Sequence, residues 1–264
     1  MKITIIGAGN MGGAIARGLA KNAVFRENEI TVTARSQKTL DTLKEAFPGL
    51  NVTNDNAEAV KGADVVMLAV KPWLLESVIS QIRRNLDFSK QMIVSVVAAV
   101  TFDDLQRMLS GEDTCNPVMF RIIPNTAIAI GESMTLIAAH NASDEQEQQI
   151  KSFFDKLGKA ILIEERLMGA GTALCSCGIA YALKYVKAAI DGGVELGFYP
   201  EQAKEMIAQT VKGAVELLMA NESMPDQEIY KVTTPGGITI QGLNEMEAQG
   251  FSAAVVKGLK ASVK

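Results

Sequence analysis

The sequence predicts an α/β chain in which a sheet wound with helices over residues 1–164 is followed by an all-helical part over residues 165–264. Three observations predict it. Up to about residue 164, short β-branched runs alternate with segments of helical period, as repeated βαβ units around a parallel sheet require. Beyond that point the runs stop, and long segments rich in Ala, Gly and Met carry helical spacing instead. With 48% of its 264 residues apolar, the chain can bury a large core, which excludes a disordered one.

In chain order, strands are expected at Lys2 to Ile6, Ile30 to Thr33, Val65 to Val70, Met92 to Val97 and Met119 to Ile123. Helices are expected between them at Met11 to Leu19, Thr39 to Ala46, Leu74 to Leu86 and Asp103 to Leu109, the last opened by a capping box of Thr101 and Asp104. A final unit at the far edge of the sheet has a strand at Met134 to Ala138, a helix capped by Ser143 with Gln146, and a strand at Ala160 to Ile163. Helical patterns then cover Gly169 to Leu196, Glu201 to Asn221 and Pro235 to Ala248. A domain this small, with Ala180, Leu183, Val186, Ala189 and Ile190 along one face, completes its core best against a second copy, so a homodimer is expected.

The net charge of −4 gives no general attraction to nucleic acid or to an anionic membrane surface, so small molecules are the expected partners. The longest apolar runs, such as Met92 to Val100, fall short of the roughly 20 residues that span a bilayer, and no membrane partner is expected. Three cysteines, Cys115, Cys175 and Cys177, are too few for a disulfide framework, and the chain opens on a strand-like run without a signal-peptide pattern. A cytoplasmic location fits both features.

The chemistry starts at Gly7-Ala8-Gly9-Asn10-Met11-Gly12, which follows a strand and opens a helix. That context turns a common glycine pattern into a dinucleotide-binding, Rossmann-like fingerprint. Gly7 permits the tight turn, Gly9 lets a pyrophosphate approach the backbone, and Gly12 lets helix and strand pack. At the end of the second strand, where an NAD enzyme places an acidic residue for the ribose 2'-hydroxyl, this chain has Arg35 and Ser36. Arg35 can pair bidentately with a 2'-phosphate and Ser36 can donate to it, so NADPH is expected in preference to NADH, with a solvated surface Arg as the alternative.

Ligands of open α/β sheets lie beyond the carboxyl ends of the strands. The residues there are Asn56, Ala69, Val70, Lys71, Pro72, Val97, Ala98, Ala99 and Asn125. Small or apolar residues among them suit a nicotinamide ring and ribose; Asn125 can bond the carboxamide or hold a loop, and Lys71 could equally be a surface charge. In the helical part, Thr234 before Pro235 reads as an N-cap with proline at the first helical position. Gly236 and Gly237 leave backbone N–H groups uncovered for a carboxylate, with Thr239 facing the same space.

Taken together, GAGNMG, AVKP at Ala69 to Pro72, RIIPNT at Arg121 to Thr126, and TPGGIT followed by GLNEME at Gly242 to Glu247 resemble delta-1-pyrroline-5-carboxylate reductases over nearly the whole chain. The resemblance implies reduction of a cyclic imine to proline, and a helix-swapped dimer that is often assembled into a higher homo-oligomer. It implies that the substrate carboxylate sits on the Gly236–Gly237 backbone, that Thr239 bonds the imine nitrogen as the catalytic hydroxyl, and that Glu222 and Thr234 belong to the same site. The chain departs from the family's SGSGPAY run with Cys175-Ser176-Cys177-Gly178-Ile179-Ala180-Tyr181, so a reductase of another cyclic imine or of a small keto or hydroxy acid stays open. A non-catalytic NADP-binding sensor of the same fold is the reading from a different class.

Hydride transfer to a C=N carbon needs positioning and a hydrogen-bonded nitrogen more than a strong acid. The single histidine, His140, lies away from the motifs and reads as structural. Cys175 and Cys177 lack a second pair or a nearby His, so no metal is expected.

Overall fold

The computed structural model describes residues 1–21, 26, 29–110 and 115–263. Strands β1 (Ile3–Ile6), β2 (Ile30–Thr33), β3 (Asn51–Thr53), β4 (Val65–Leu68), β5 (Met92–Ser95), β6 (Val118–Ile123), β7 (Ser133–His140) and β8 (Gly158–Leu162) form one sheet in the order β3-β2-β1-β4-β5-β6-β7-β8. Helices α1 (Asn10–Lys21), α2 (Gln37–Ala46), α3 (Asn56–Ala59), α4 (Leu75–Ile82), α5 (Phe102–Ser110) and α6 (Asp144–Asp155) alternate with them. Pairing is parallel except between β6 and β7, which run antiparallel with Phe120 opposite Ala139. A short 3-10 connection, Thr126–Ile130, links those two strands in place of a crossover helix.

The central strands β1, β4 and β5 are short and buried on both faces, so successive side chains enter different cores. Ile3 and Ile5 of β1, with Val65 and Met67 of β4, join Ile15 and Leu19 of α1 and Phe153 and Phe154 of α6. Ile6, Val66 and Leu68 point the other way, against Leu75, Val78 and Ile79 of α4 and Leu105 of α5. Both expected capping boxes form. Asp104 N–H donates to Thr101 Oγ1 while Thr101 N–H donates to Asp104 Oδ2, and Ser143 and Gln146 exchange the same pair of bonds. β3 and α3 were not among the sequence expectations: Asn51–Thr53 is a three-residue edge strand and Asn56–Ala59 a single turn, both below the length at which periodicity registers.

The chain divides into two compact units, Met1–Ser176 and Cys177–Lys264. The segment 165–176, which the sequence places with the helical part, lies within the first compact unit and packs on the sheet. Glu165 accepts from Arg121 Nη1 at 2.6 Å and from the Phe102 N–H at 2.7 Å, and Met168 joins the core beneath α4 and α5. The segment holds α7 (Met168–Gly171) and the π-helical turn Thr172–Ser176. It runs on into α8 (Gly178–Glu195), the first helix of the second unit.

That unit continues with α9 (Pro200–Asn221), α10 (Pro225–Lys231), α11 (Ile238–Ala248) and α12 (Phe251–Ala261). α8 and α9 approach closely where a Cβ on Gly193 would lie 3.0 Å from the Ala203 methyl. Ala203 is the only residue of this unit that is buried, among the described residues, while Leu183, Leu196, Val215, Leu217 and Val255 are exposed. The continuous helical segment Glu165–Glu195, 31 residues, is long and apolar enough to span a bilayer by length and composition alone. Strand-length apolar runs do not reveal it, because Lys184 and Lys187 interrupt the pattern.

Candidate active site

β1 ends at the point where the strand order reverses, with β2 and β3 on one side and β4 on the other. Such a switch point opens a crevice at the strand ends. A cleft of about 930 Å³ lies there, lined by the turn Gly7 to Met11 after β1, by Arg35 and Ser36 after β2, and by Ala69 to Pro72 after β4. Asn56 and Ala98 also face it.

Each glycine of the turn has a distinct reason. Gly7 holds φ +103°, and a Cβ there would stand 2.8 Å from the Ala69 carbonyl oxygen. Gly12 is buried and does not line the cleft; it lets α1 press against the turn. Gly9 has nothing within 4 Å of the place a side chain would occupy, so its backbone faces open space. α1 carries no acidic residue in its first turn, which leaves its N-terminal amides and positive dipole end available to an anion.

Arg35 and Ser36 are exposed at the rim, and Ser36 is the N-cap of α2 without using its side chain as a cap. Its hydroxyl oxygen accepts no cap bond from the helix. Asn56 is held from two sides, its Oδ1 accepting from Thr33 Oγ1 at 2.7 Å and its Nδ2 donating to Gln81 Oε1 at 3.1 Å. Gln81 was missed from the sequence, as were Leu74, Ser77 and Val78, which also line the cleft. The 74, 78, 81 spacing along α4 and its preceding turn marks a single helical face and was the available signal.

Besides Gly12, three expected residues are not brought to the cleft. Val97 is buried in the core beneath α4 and α5, because alternation along the strand extension turns it away from its neighbour Ala98. Ala99 sits in the left-handed region at φ 59°, exposed beyond the cleft wall. Asn125 is buried, and of its two open readings the structure shows the loop-holding one: Oδ1 accepts from the Ala127 N–H and Nδ2 donates to the Cys175 carbonyl oxygen at 3.3 Å. His140 stacks on Phe102 with ring centroids 5.2 Å apart. Burial pushes the Cys175 thiol up from its ordinary pKa, which disfavours a reactive thiolate.

In the helical unit, Thr234 is not an N-cap. Its carbonyl oxygen accepts from the Gly237 N–H at 2.9 Å across Pro235 and Gly236, and Gly236 has φ +71°. This is a type II turn, with Pro at its second position and a left-handed Gly at its third. Helix α11 starts after Gly237, its N-cap, because a left-handed residue cannot belong to a helix. Thr239 lies exposed in the first turn of α11, which has no acidic residue to cover the amides. Glu222 caps the other end of the preceding long helix, α9, with φ 48°.

Residues 165–264 match the family model described as pyrroline-5-carboxylate reductase dimerisation, and residues 2–99 match that of NADP oxidoreductase, coenzyme F420-dependent. Pyrroline-5-carboxylate reductase 2 of Dictyostelium discoideum is 37% identical over 99% of this chain and 91% of its own. The chain belongs to the pyrroline-5-carboxylate reductase family. Pyrroline-5-carboxylate reductase 1 of the same organism is 38% identical over 98% of this chain, which spans 48% of that longer protein. The crystal structure of Plasmodium falciparum pyrroline carboxylate reductase with NADP bound superposes with a TM-score of 0.87 at 26% identity, covering 100% of this chain and 95% of that one. Within the family frame, the helical unit with almost no core of its own is a dimerisation domain, and the sheet unit is an NAD(P)-binding domain.

Proposed function

We infer that the chain reduces 1-pyrroline-5-carboxylate to L-proline with NADPH, as an oxidoreductase acting on a CH–NH bond. The observation that carries this reading is the glycine turn at the switch point, open at Gly9 and flanked by Arg35 and Ser36, in a chain of this family. NADPH supplies the hydride for the imine carbon when bound. The residues around it do the remaining work. Amides of the Gly7 to Met11 turn and the start of α1 hold the diphosphate, with Gly12 setting the close packing that aims them. Arg35 and Ser36 hold the 2'-phosphate, which favours NADPH over NADH. Asn56, Ala69, Val70, Lys71, Pro72 and Ala98 wall the cleft.

In the helical unit, the Gly236 amide and those of the α11 N-terminus take the substrate carboxylate, the Gly237 N–H being already bonded to the Thr234 carbonyl oxygen, and Glu222 and Thr234 line the same site. Thr239 hydrogen-bonds the ring nitrogen. An imine that arrives protonated accepts hydride at carbon and leaves as the secondary amine, so no strong acid is demanded of the protein. The exposed apolar helices of this unit, α8 included, pair with a second copy rather than a bilayer, giving a homodimer. Three free thiols fit a cytoplasmic location.

Oxidation of NADPH by purified protein with fresh 1-pyrroline-5-carboxylate, beside other cyclic imines and small keto acids, tests the reading. Turnover on pyrroline-5-carboxylate exceeding the others supports it. Tight NADPH binding with no turnover on any of them would establish a sensor instead.

A further inference from the structure

Trp73 is the single tryptophan of the chain and stands 76% exposed. Leaving so large a ring in water gives up the stabilisation that its burial would supply. It occupies the middle of the 3-10 turn Pro72–Leu74, whose two outer residues line the cleft while its own side chain does not. Lys71, another lining residue, holds its ammonium 6.0 Å from the centre of the indole ring, a cation–π contact at the cleft mouth.

The wall next to this turn has the chemistry of a base pocket. Leu74 and Val78 present an apolar surface, and Ser77 and Gln81 place polar groups beside it. Gln81 is tied through Asn56 to Thr33 at the end of β2, next to Arg35 and Ser36. The turn and the α4 wall therefore border the end of the cleft assigned to the adenosine half of the cofactor. We propose that the Trp73 indole closes over the adenine of bound NADPH, sandwiching the base against the Leu74 and Val78 face. Rotation about the Trp73 side-chain bonds brings the ring to the rim, and Lys71 is released from its face to the negative charge of the nucleotide. This rests on the NADPH reading above.

Because Trp73 has no other tryptophan to mask it, its fluorescence reports the closure directly. Titration with NADP⁺ and with 2',5'-ADP, the adenosine half, is expected to change the emission with the dissociation constants that calorimetry gives, while nicotinamide mononucleotide leaves it unchanged. Base–aromatic stacking of ordinary strength makes Trp73→Ala bind both adenosine ligands about tenfold more weakly, with Trp73→Phe within about threefold of the parent. Calorimetric binding of NADP⁺ with silent emission, or equal affinity in Trp73→Ala, would overturn this inference and leave the cofactor reading standing. A smaller assembly mass for Trp73→Ala at unchanged affinity would assign the ring to a subunit contact and overturn it too. Absence of any NADP⁺ binding in the calorimeter would remove both.

Discussion

Gly12 lies so close to Gly7 that a methyl group on its Cα would stand 2.1 Å from the Gly7 carbonyl oxygen and 2.9 Å from the Ala69 methyl. The turn that holds the diphosphate and the helix that aims at it are thus set by one pair of residues lacking side chains. Gly12→Ala forces backbone to move, an overpacking that costs about 1–3 kcal/mol, and a thermal melt should show it as a clear loss of stability. Gly9→Ala meets nothing within the protein and should melt like the parent. Its methyl stands instead where the diphosphate approaches, so NADPH affinity should fall about tenfold or more, which is roughly 1.4 kcal/mol. Equal melts for the two variants would remove this division of roles.

Arg35 sits at the rim after β2, beside a Ser36 hydroxyl with no capping duty. A charge-assisted bidentate bond contributes about 1.5–3 kcal/mol, so Arg35→Asp should weaken NADPH binding by roughly tenfold or more and leave NADH nearly unchanged. Titration of both coenzymes decides it, and an unaltered ratio would reduce Arg35 to a surface charge.

Glu228 on α10 accepts from Lys231, Ser223 and Asn221, with the Lys231 bond the largest influence, and its pKa is lowered from 4.5 to about 2. A carboxylate depressed in the folded state stabilises fully above its unfolded value and loses that contribution as pH falls through its folded one. The Glu228 contribution should therefore be intact at pH 5 and vanish between about pH 4.5 and 2. Carboxyl NMR titration should give the low value directly, and Glu228→Gln should make the melting temperature fall less steeply across that window, Asp87 and the other lowered carboxylates keeping their share.

Thr239 lies exposed at the start of α11, two residues beyond a glycine turn with no acidic group nearby in its helix. Loss of one hydrogen bond to the reacting nitrogen costs about 1–1.5 kcal/mol, so Thr239→Val should lower turnover about tenfold. Its NADPH dissociation constant should stay within a factor of two or so of the parent value. Unchanged turnover would take Thr239 out of the reaction.

The sheet strands and the glycine turn were legible because their signals are local. Ile3–Ile6, the GAGNMG turn and α1 follow one another in the chain, and both capping boxes are completed within three residues. Asn56, Lys71 and Ala98 could be named for a similar reason, since each directly follows an apolar run or a turn at a strand end. The helical unit was harder: α10 is seven residues long and α12 follows α11 after a two-residue gap, so neither stood out as a separate period.

The chain order of hydrophobic periods, glycines and caps by itself determined a wound sheet, a nucleotide turn and an apolar helical second part, because these depend on neighbours a few positions away. Only the tertiary structure decided that β7 runs against β6, that Val97 faces the core while Ala98 faces the cleft, and that Asn125 spends its amide on Cys175. It also decided that the Thr234 turn is type II, through the left-handed Gly236, and that Gln81 reaches Asn56 across 25 residues of sequence. Direction of a strand, orientation of a side chain at a strand end and pairing between distant polar groups are settled by packing and by the need to satisfy buried donors, and that information exists only once the layers have closed.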